Sequence, residues 1–244
     1  GIRNVVGYHG NELGRYQQLY GKDRGPIGLV NPALWNVANV RWLYTDVPDL
    51  PAVFEPAQWE RVVGPVRNAA GSTIYLYRSV PDRPLAWVAP VIMQRPDDVV
   101  SQAVTNPAFP YRSVALFPTD ANVRGVEPSA PPEPLVSGVR VASWAPGAIT
   151  LTLEEPAPEG SALVVSENYY PGWTATVDGR VVEPSRVNLT FIGVPLPPGA
   201  REVSLRFESR SFDTGRSVTQ IALVVALLLL IAGAVVDRRR PVGG

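Results

Sequence analysis

The sequence predicts an α+β N-terminal region, then an antiparallel β-sandwich, then one C-terminal transmembrane helix. Three observations predict it. Strict apolar alternation recurs in five-residue stretches after residue 136. The 26 prolines and 21 glycines of the 244 residues are scattered rather than periodic, a punctuation suited to short strands and irregular loops. Near the C-terminus lies a long run without charge. A chain of this length can bury one large core or two modest ones.

The N-terminal elements come first. Asn11 can cap a helix from Glu12 to about Tyr20, with Leu13, Tyr16 and Leu19 at helical spacing. Asn31 and Pro32 open a second helix, because proline suits a first helical turn; it carries Leu34 and Val37 and should end near Asn39. Val40 to Tyr44, Ile74 to Tyr77 and Leu85 to Ile92 read as strands, and Pro96 to Val104 as a short third helix with Asp97 and Asp98 in its first turn. Residues 125–135 are Pro-rich and nearly devoid of large apolar groups. They read as an extended linker between a mixed region, 1–124, and a sandwich domain, 136–212.

In the sandwich region Ile149, Leu151 and Leu153 alternate with threonines. Trp173, Ala175 and Val177 repeat the pattern, as do Val203, Leu205 and Phe207. A period of two means one buried and one wet face. Ala162 to Val165 is continuously apolar and suits a central strand. Asp178-Gly179 between two such patterns is the signal of a type I′ hairpin, whose two central residues need positive φ. Seven or so short strands make an antiparallel sandwich the natural solution.

Residues 217–236 contain no charge, and from Ile221 through Leu227 and Leu230 to Val236 no side chain is polar. As a helix this run rises about 24–30 Å, enough to span a bilayer core. Arg238, Arg239 and Arg240 follow directly. A compact basic triplet at the membrane edge reads as a cytoplasmic stop, with residues 237–244 as a cytoplasmic tail and the body outside the cytoplasm. The chain opens at Gly1 without an apolar leader, so we expect it to be the C-terminal part of a longer polypeptide.

Composition also excludes functions. Net charge is zero, with no basic surplus for nucleic acid. Cysteine is absent, which removes disulfides, thiolate metal sites and thiol nucleophiles. The single histidine, His9, lacks the partners of a metal site. Glu154-Glu155 would point to opposite faces of a strand, and neither a nucleophile elbow nor a Gly-rich phosphate loop is present. We expect no catalytic residue, metal or cofactor in this chain.

The densest functional cluster is Glu167, Tyr169, Tyr170, Pro171, Gly172 and Trp173. Aromatic faces stack on the C–H surfaces of sugars and a carboxylate accepts hydroxyl hydrogen bonds, so the cluster is a candidate glycan contact. The plainer reading is a turn at Pro171-Gly172 with Trp173 in the sandwich core. His9 and Arg15 are further candidates for a sugar or lipid phosphate, against a structural role for each.

The order of several segments resembles the C-terminal part of the bacterial YfhO-like membrane proteins. These segments are Gly7-Tyr8-His9 with Arg15-Tyr16-Gln17, Asn39-Val40-Arg41, Tyr75 and Tyr77 before Trp87, and Glu167 to Trp173. Then come Asp178-Gly179, Asn188, Pro197 to Gly199, Ser211-Phe212 and Gly215. Gly10 and Leu85 depart from the pattern, which has proline and arginine there. The resemblance implies a multi-pass protein grouped with polyprenyl-phosphate-sugar-dependent glycosyltransferases of the GT-C type, with its catalytic carboxylates in an upstream helical bundle. It further implies that this chain is a cap over that bundle plus its last helix, contacting the lipid bilayer, the upstream transmembrane helices, and a polyprenyl-phosphate-sugar or envelope glycan. The alternative is a non-enzymatic, membrane-anchored sandwich module that binds protein or glycan in the bacterial envelope.

Overall fold

Ala162, Leu163, Val164 and Val165 have no accessible surface at all, which marks the centre of the molecule. The computed structural model describes Val5 and residues 14–20, 30–130, 132–135 and 137–238. Its first compact unit, the body, runs to Arg206, and the second begins at Phe207.

The first half of the body carries α1 (Gly14–Tyr20), α2 (Pro32–Val37), β1 (Trp42–Thr45), β2 (Trp59–Arg67), β3 (Thr73–Ser79), β4 (Ala86–Ala89), β5 (Val91–Gln94), α3 (Asp97–Val104) and β6 (Val114–Phe117). The second half is all strand: β7 (Val139–Ala145), β8 (Ala148–Leu153), β9 (Ala162–Asn168), β10 (Trp173–Val177), β11 (Arg180–Val182), β12 (Ser185–Val187), β13 (Phe191–Pro195) and β14 (Glu202–Phe207). The helix α4 (Arg210–Arg238) follows.

Two antiparallel sheets form the sandwich, one ordered β11-β10-β14-β8-β7 and the other β12-β13-β9-β4. Between them Ile149, Leu151, Leu153, Val177, Val203 and Leu205 of the first sheet meet Val88, Leu163, Val165, Ile192 and Val194 of the second. The second sheet is covered on its other face as well. There Trp87, Val164, Val187 and Phe191 pack with α1, α2, α3 and the strand pair β5-β6 in a further core. A strand buried on both faces needs no polar alternation, which is why β4 and the start of β9 are wholly apolar. Gly193 lies in this crowded layer: a Cβ there would come within 2.7 Å of Phe117 and Val187.

One expectation is corrected here. The stretch 85–92 is not one strand. Pro90 breaks it into β4, which pairs antiparallel with β9, and β5, which pairs parallel with β6. Strand β4, from the N-terminal region, completes the sandwich by pairing Trp87 with Val164 and Val88 with Leu163.

A third antiparallel sheet, β1-β3-β2, holds a smaller core of Trp35, Val40, Trp59 and Tyr77. Arg83 is buried against it with no accessible surface. Its guanidinium donates to Asn36 Oδ1 (3.1 Å), the Val40 carbonyl (3.3 Å), Gln58 Oε1 (2.5 Å) and Ser79 Oγ. It also lies 4.9 Å from the Trp59 ring centroid. Burial holds its pKa below the ordinary guanidinium value, and neutral acceptors plus aromatic faces satisfy the charge.

At the β10–β11 turn Asp178 and Gly179 take φ values of 47° and 78°, and Val177 pairs with Arg180. The Asp178 carboxylate accepts from the backbone N–H groups of Arg201 and Glu202, so the turn also fastens β14.

Within α4, Ser211–Ala232 is long and apolar enough to cross a membrane, with a mean hydropathy of 2.0 over an 18-residue stretch. Ile221, Leu227 and Leu230 are 65%, 58% and 71% exposed, as side chains facing lipid would be. Val236 and Arg238 lie in the last turns of the helix. Arg239 and Arg240 lie outside the described residues.

Candidate functional site

The end of β9 is where apolar strand gives way to polar residues: Val165 is followed by Ser166, Glu167 and Asn168. These three line a cavity of about 520 Å³ in the body. Three further segments close around it. The first is the end of α2, where Ala38 caps the helix and Asn39 turns the chain with φ of 54°. Asparagine tolerates this left-handed conformation better than most residues. Ser166 Oγ donates to the Val37 carbonyl at 2.9 Å and ties this turn to β9.

The second segment is the β7–β8 hairpin, where Pro146 and Gly147 turn between the paired Ala145 and Ala148. It presents Trp144, 45% exposed, to the cavity. The third is the turn into β10, whose first residue, Trp173, also lines the cavity and packs partly on the sandwich core. Tyr16 of α1 adds a third aromatic side chain with a polar atom. Its hydroxyl donates to the Val5 carbonyl at 2.8 Å. Its pKa is raised by burial first, and then by neighbouring Tyr20 and Glu167, so the phenol keeps its proton at neutral pH.

Of the candidates read from sequence, Glu167 and Trp173 reach the cavity. Tyr169 packs against the sandwich core instead, its N–H donating to the Thr190 carbonyl at 2.7 Å. Burial, followed by Glu183, raises its pKa. Tyr170 is 54% exposed and lies outside the cavity lining. Arg15 engages Asp97 at 3.2 Å, and Asp97 also accepts from Arg186 at 2.9 Å. Burial alone would raise the Asp97 pKa, but hydrogen bonding and charge from Arg186 and Arg15 hold it below the usual carboxylate value. Arg15 thus joins α1 to α3 rather than the cavity. His9 lies outside the described residues.

Sequence reasoning missed Trp144, Asn168 and Asn39. Trp144 had a readable signal, a large aromatic in an otherwise polar strand end just before Pro146-Gly147. Asn39 and Asn168 had none, because their role comes from the meeting of distant segments. Asn188-Leu189-Thr190 matches a glycosylation sequon, but Asn188 is fully buried and its Oδ1 accepts from the Leu116 N–H. Among the described residues no cluster of His, Cys, Asp and Glu could hold a metal ion.

Comparison with known proteins adds a likeness over part of the chain. The model of the bacterial membrane protein YfhO matches residues 137–219, from the start of the strand-only half into α4. Comparison with curated proteins found no match. Among solved structures, the arabinofuranosyltransferase AftD from Mycobacteria is 28% identical over 34% of this chain, with a TM-score of 0.28; the match spans 6% of that protein. Over residues 137–219 the chain is thus similar to the bacterial membrane protein YfhO, and its helix α4 is long and apolar enough to cross a membrane.

Proposed function

We propose that this chain is the extracytoplasmic C-terminal portion of a multi-pass bacterial membrane protein that acts in cell-envelope glycosylation. In this reading it holds a glycan or lipid-linked sugar near the membrane and supplies no catalytic group. The observation that carries the reading is the cavity at the end of β9, where Glu167 and Asn168 share a wall with Trp144 and Trp173. A carboxylate and an amide beside indole rings form the kind of mixed polar and aromatic lining that small-molecule sites use to orient a ligand. The YfhO match over 137–219 includes β7, β9 and β10, which bear these residues. The basic triplet Arg238 to Arg240 supports a cytoplasmic C-terminus.

The test is transfer in membranes that contain the full-length protein. Trp144→Ala and Glu167→Ala should lower sugar transfer from a polyprenyl-phosphate donor at least about tenfold while the protein stays folded; unchanged transfer would refute the role. Sidedness has its own measurement, because the chain has no cysteine. A single cysteine at Val181, which is 85% exposed, should react in intact cells with a membrane-impermeant maleimide, and one at Gly243 should not.

A further inference from the structure

We infer that the outer face of the sheet β1-β3-β2 is a lipid-docking surface that rests in the headgroup layer of the membrane. The inference goes beyond the glycan reading and rests only on the membrane reading of α4. Side chains of a strand alternate between the two faces of its sheet, and paired residues share a face. Leu43, Tyr75, Tyr77 and Trp59 turn to the core around Trp35. On the outer face Trp42, Arg78 and Glu60 form one row, Tyr44, Leu76 and Val63 a second, and Ile74 and Val66 a third. Apart from the Arg78–Glu60 ion pair, this face is aliphatic or aromatic. It is also open: Trp42 is 52% exposed, Tyr44 64%, Val63 42% and Val66 47%. A contiguous exposed apolar patch marks a surface that meets a partner or a membrane.

Two observations favour lipid as the occupant. The first is reach. Arg206, the last residue of the body, pairs with Ala148 beside the β7–β8 turn. That turn, at Pro146 and Gly147, shares a cavity wall with Ala38 and Asn39. Trp42 follows Asn39 in the chain by at most about 10 Å of backbone. Strand β1 therefore starts at the end of the body from which the chain leaves for α4. Only Phe207, Glu208 and Ser209 separate Arg206 from α4, and the apolar run begins at Val218. Extended backbone followed by helix keeps that end of the body within about 22 Å of the run. The second observation is composition. Trp and Tyr concentrate where membrane meets water, because each ring joins a polar atom to an apolar body. Trp42 and Tyr44 present two such rings on an edge strand, and the Tyr44 hydroxyl accepts from Asn68 Nδ2 at 3.3 Å. The aliphatic rows beside them supply the surface that the acyl boundary takes up, and long charged side chains such as Arg78 keep their heads in the wet headgroup layer.

The experiment uses the full chain in vesicles of phosphatidylethanolamine and phosphatidylglycerol. The chain has no cysteine, so Tyr44→Cys and Val66→Cys each take a single nitroxide label. Val181→Cys, at a position 85% exposed, and Leu227→Cys, in α4, are labelled beside them. Circular dichroism checks that every variant is folded. Electron paramagnetic resonance reads the accessibility of each label to oxygen, which concentrates in lipid, and to a water-soluble nickel chelate. At Tyr44 and Val66 the ratio of oxygen to nickel accessibility should exceed that at Val181 by at least about threefold. A ratio equal to that at Val181 means that water covers the face. Low accessibility to both reagents means that a second copy, another protein segment or a glycan covers it. Either result overturns the inference. Its failure is distinguishable from that of the membrane reading. If the Leu227 label admits oxygen and excludes nickel while Tyr44 and Val66 do not, only the docking surface fails. If nickel reaches Leu227, α4 does not span the bilayer and both readings fall.

Discussion

Two uninterrupted apolar runs of the chain are treated in opposite ways by the structure. Ala162 to Val165 of β9 have no accessible surface, enclosed by the facing sheet on one side and by helices and β5-β6 on the other. The run from Ile221 to Ile231 in α4 keeps about half or more of each large apolar side chain exposed. Both lack the polar stripe that marks a surface element. One is solvated by protein and the other by lipid. Length separates them: four residues of strand can be covered within a domain, whereas some 20 residues of helix match a bilayer core.

Charge placed in each run tests this contrast most strongly. Val164→Asp would bury an unpaired carboxylate between two cores and should destabilise the body by more than about 4 kcal/mol. Loss of its cooperative thermal transition by circular dichroism would be the readout. Leu227→Asp should leave that transition in place and instead impair insertion, by about 3 kcal/mol on insertion scales for a charge at a helix centre. Carbonate extraction of membranes reports it. If Leu227→Asp unfolded the body, the assignment of that run to lipid would be wrong.

The next prediction concerns the buried charge the body does tolerate. Arg83→Met would strip the donor from Asn36, Val40 and Gln58, and orphaned buried acceptors are costly, so a loss of about 2–3 kcal/mol in denaturant unfolding is expected. Asp178→Ala should cost about 1–2 kcal/mol, through the positive φ of the turn and the lost acceptor for Arg201 and Glu202. Asp178→Asn, which accepts positive φ and keeps an acceptor oxygen, should lose much less.

The smallest effect is expected at the half-buried Asp97. Arg186 and Arg15 hold its pKa below the ordinary carboxylate value in the folded state, so its contribution is complete above the unfolded value and lost as pH falls through the folded one. The pair is solvent-screened, and the contribution should stay below about 1 kcal/mol. Asp97→Asn should slightly reduce the difference in melting temperature between pH 6 and pH 3.

Much of the fold was legible because its signals are local. The alternation of Ile149, Leu151 and Leu153 became β8 with those side chains inward. Asn31 caps α2 through its side chain, accepting from the Ala33 N–H. Other parts were not legible. Strand β2 has a mostly exposed burial pattern and no alternation to read, and β6 is four apolar residues, too short to identify by period. At the site, Glu167 and Trp173 were visible as a dense local cluster, and Tyr169 and Tyr170 belonged to the same cluster yet lie outside the cavity lining. Trp144 and Asn39 are 23 and 128 residues from Glu167 in the chain, and no local pattern joins them.

By itself the sequence determined the elements whose cause is local: hairpin turns that need positive φ, alternating strands with one wet face, and a helix long and apolar enough to cross a bilayer. The tertiary structure alone decided which strands share a sheet, that β4 from the first half completes the sandwich of the second, and that the cavity forms where α2, β7 and β9 meet. The reason is physical. Periodicity and turn chemistry act over a few residues, whereas strand pairing and cavity shape depend on contacts between distant segments, which only the packed chain brings together.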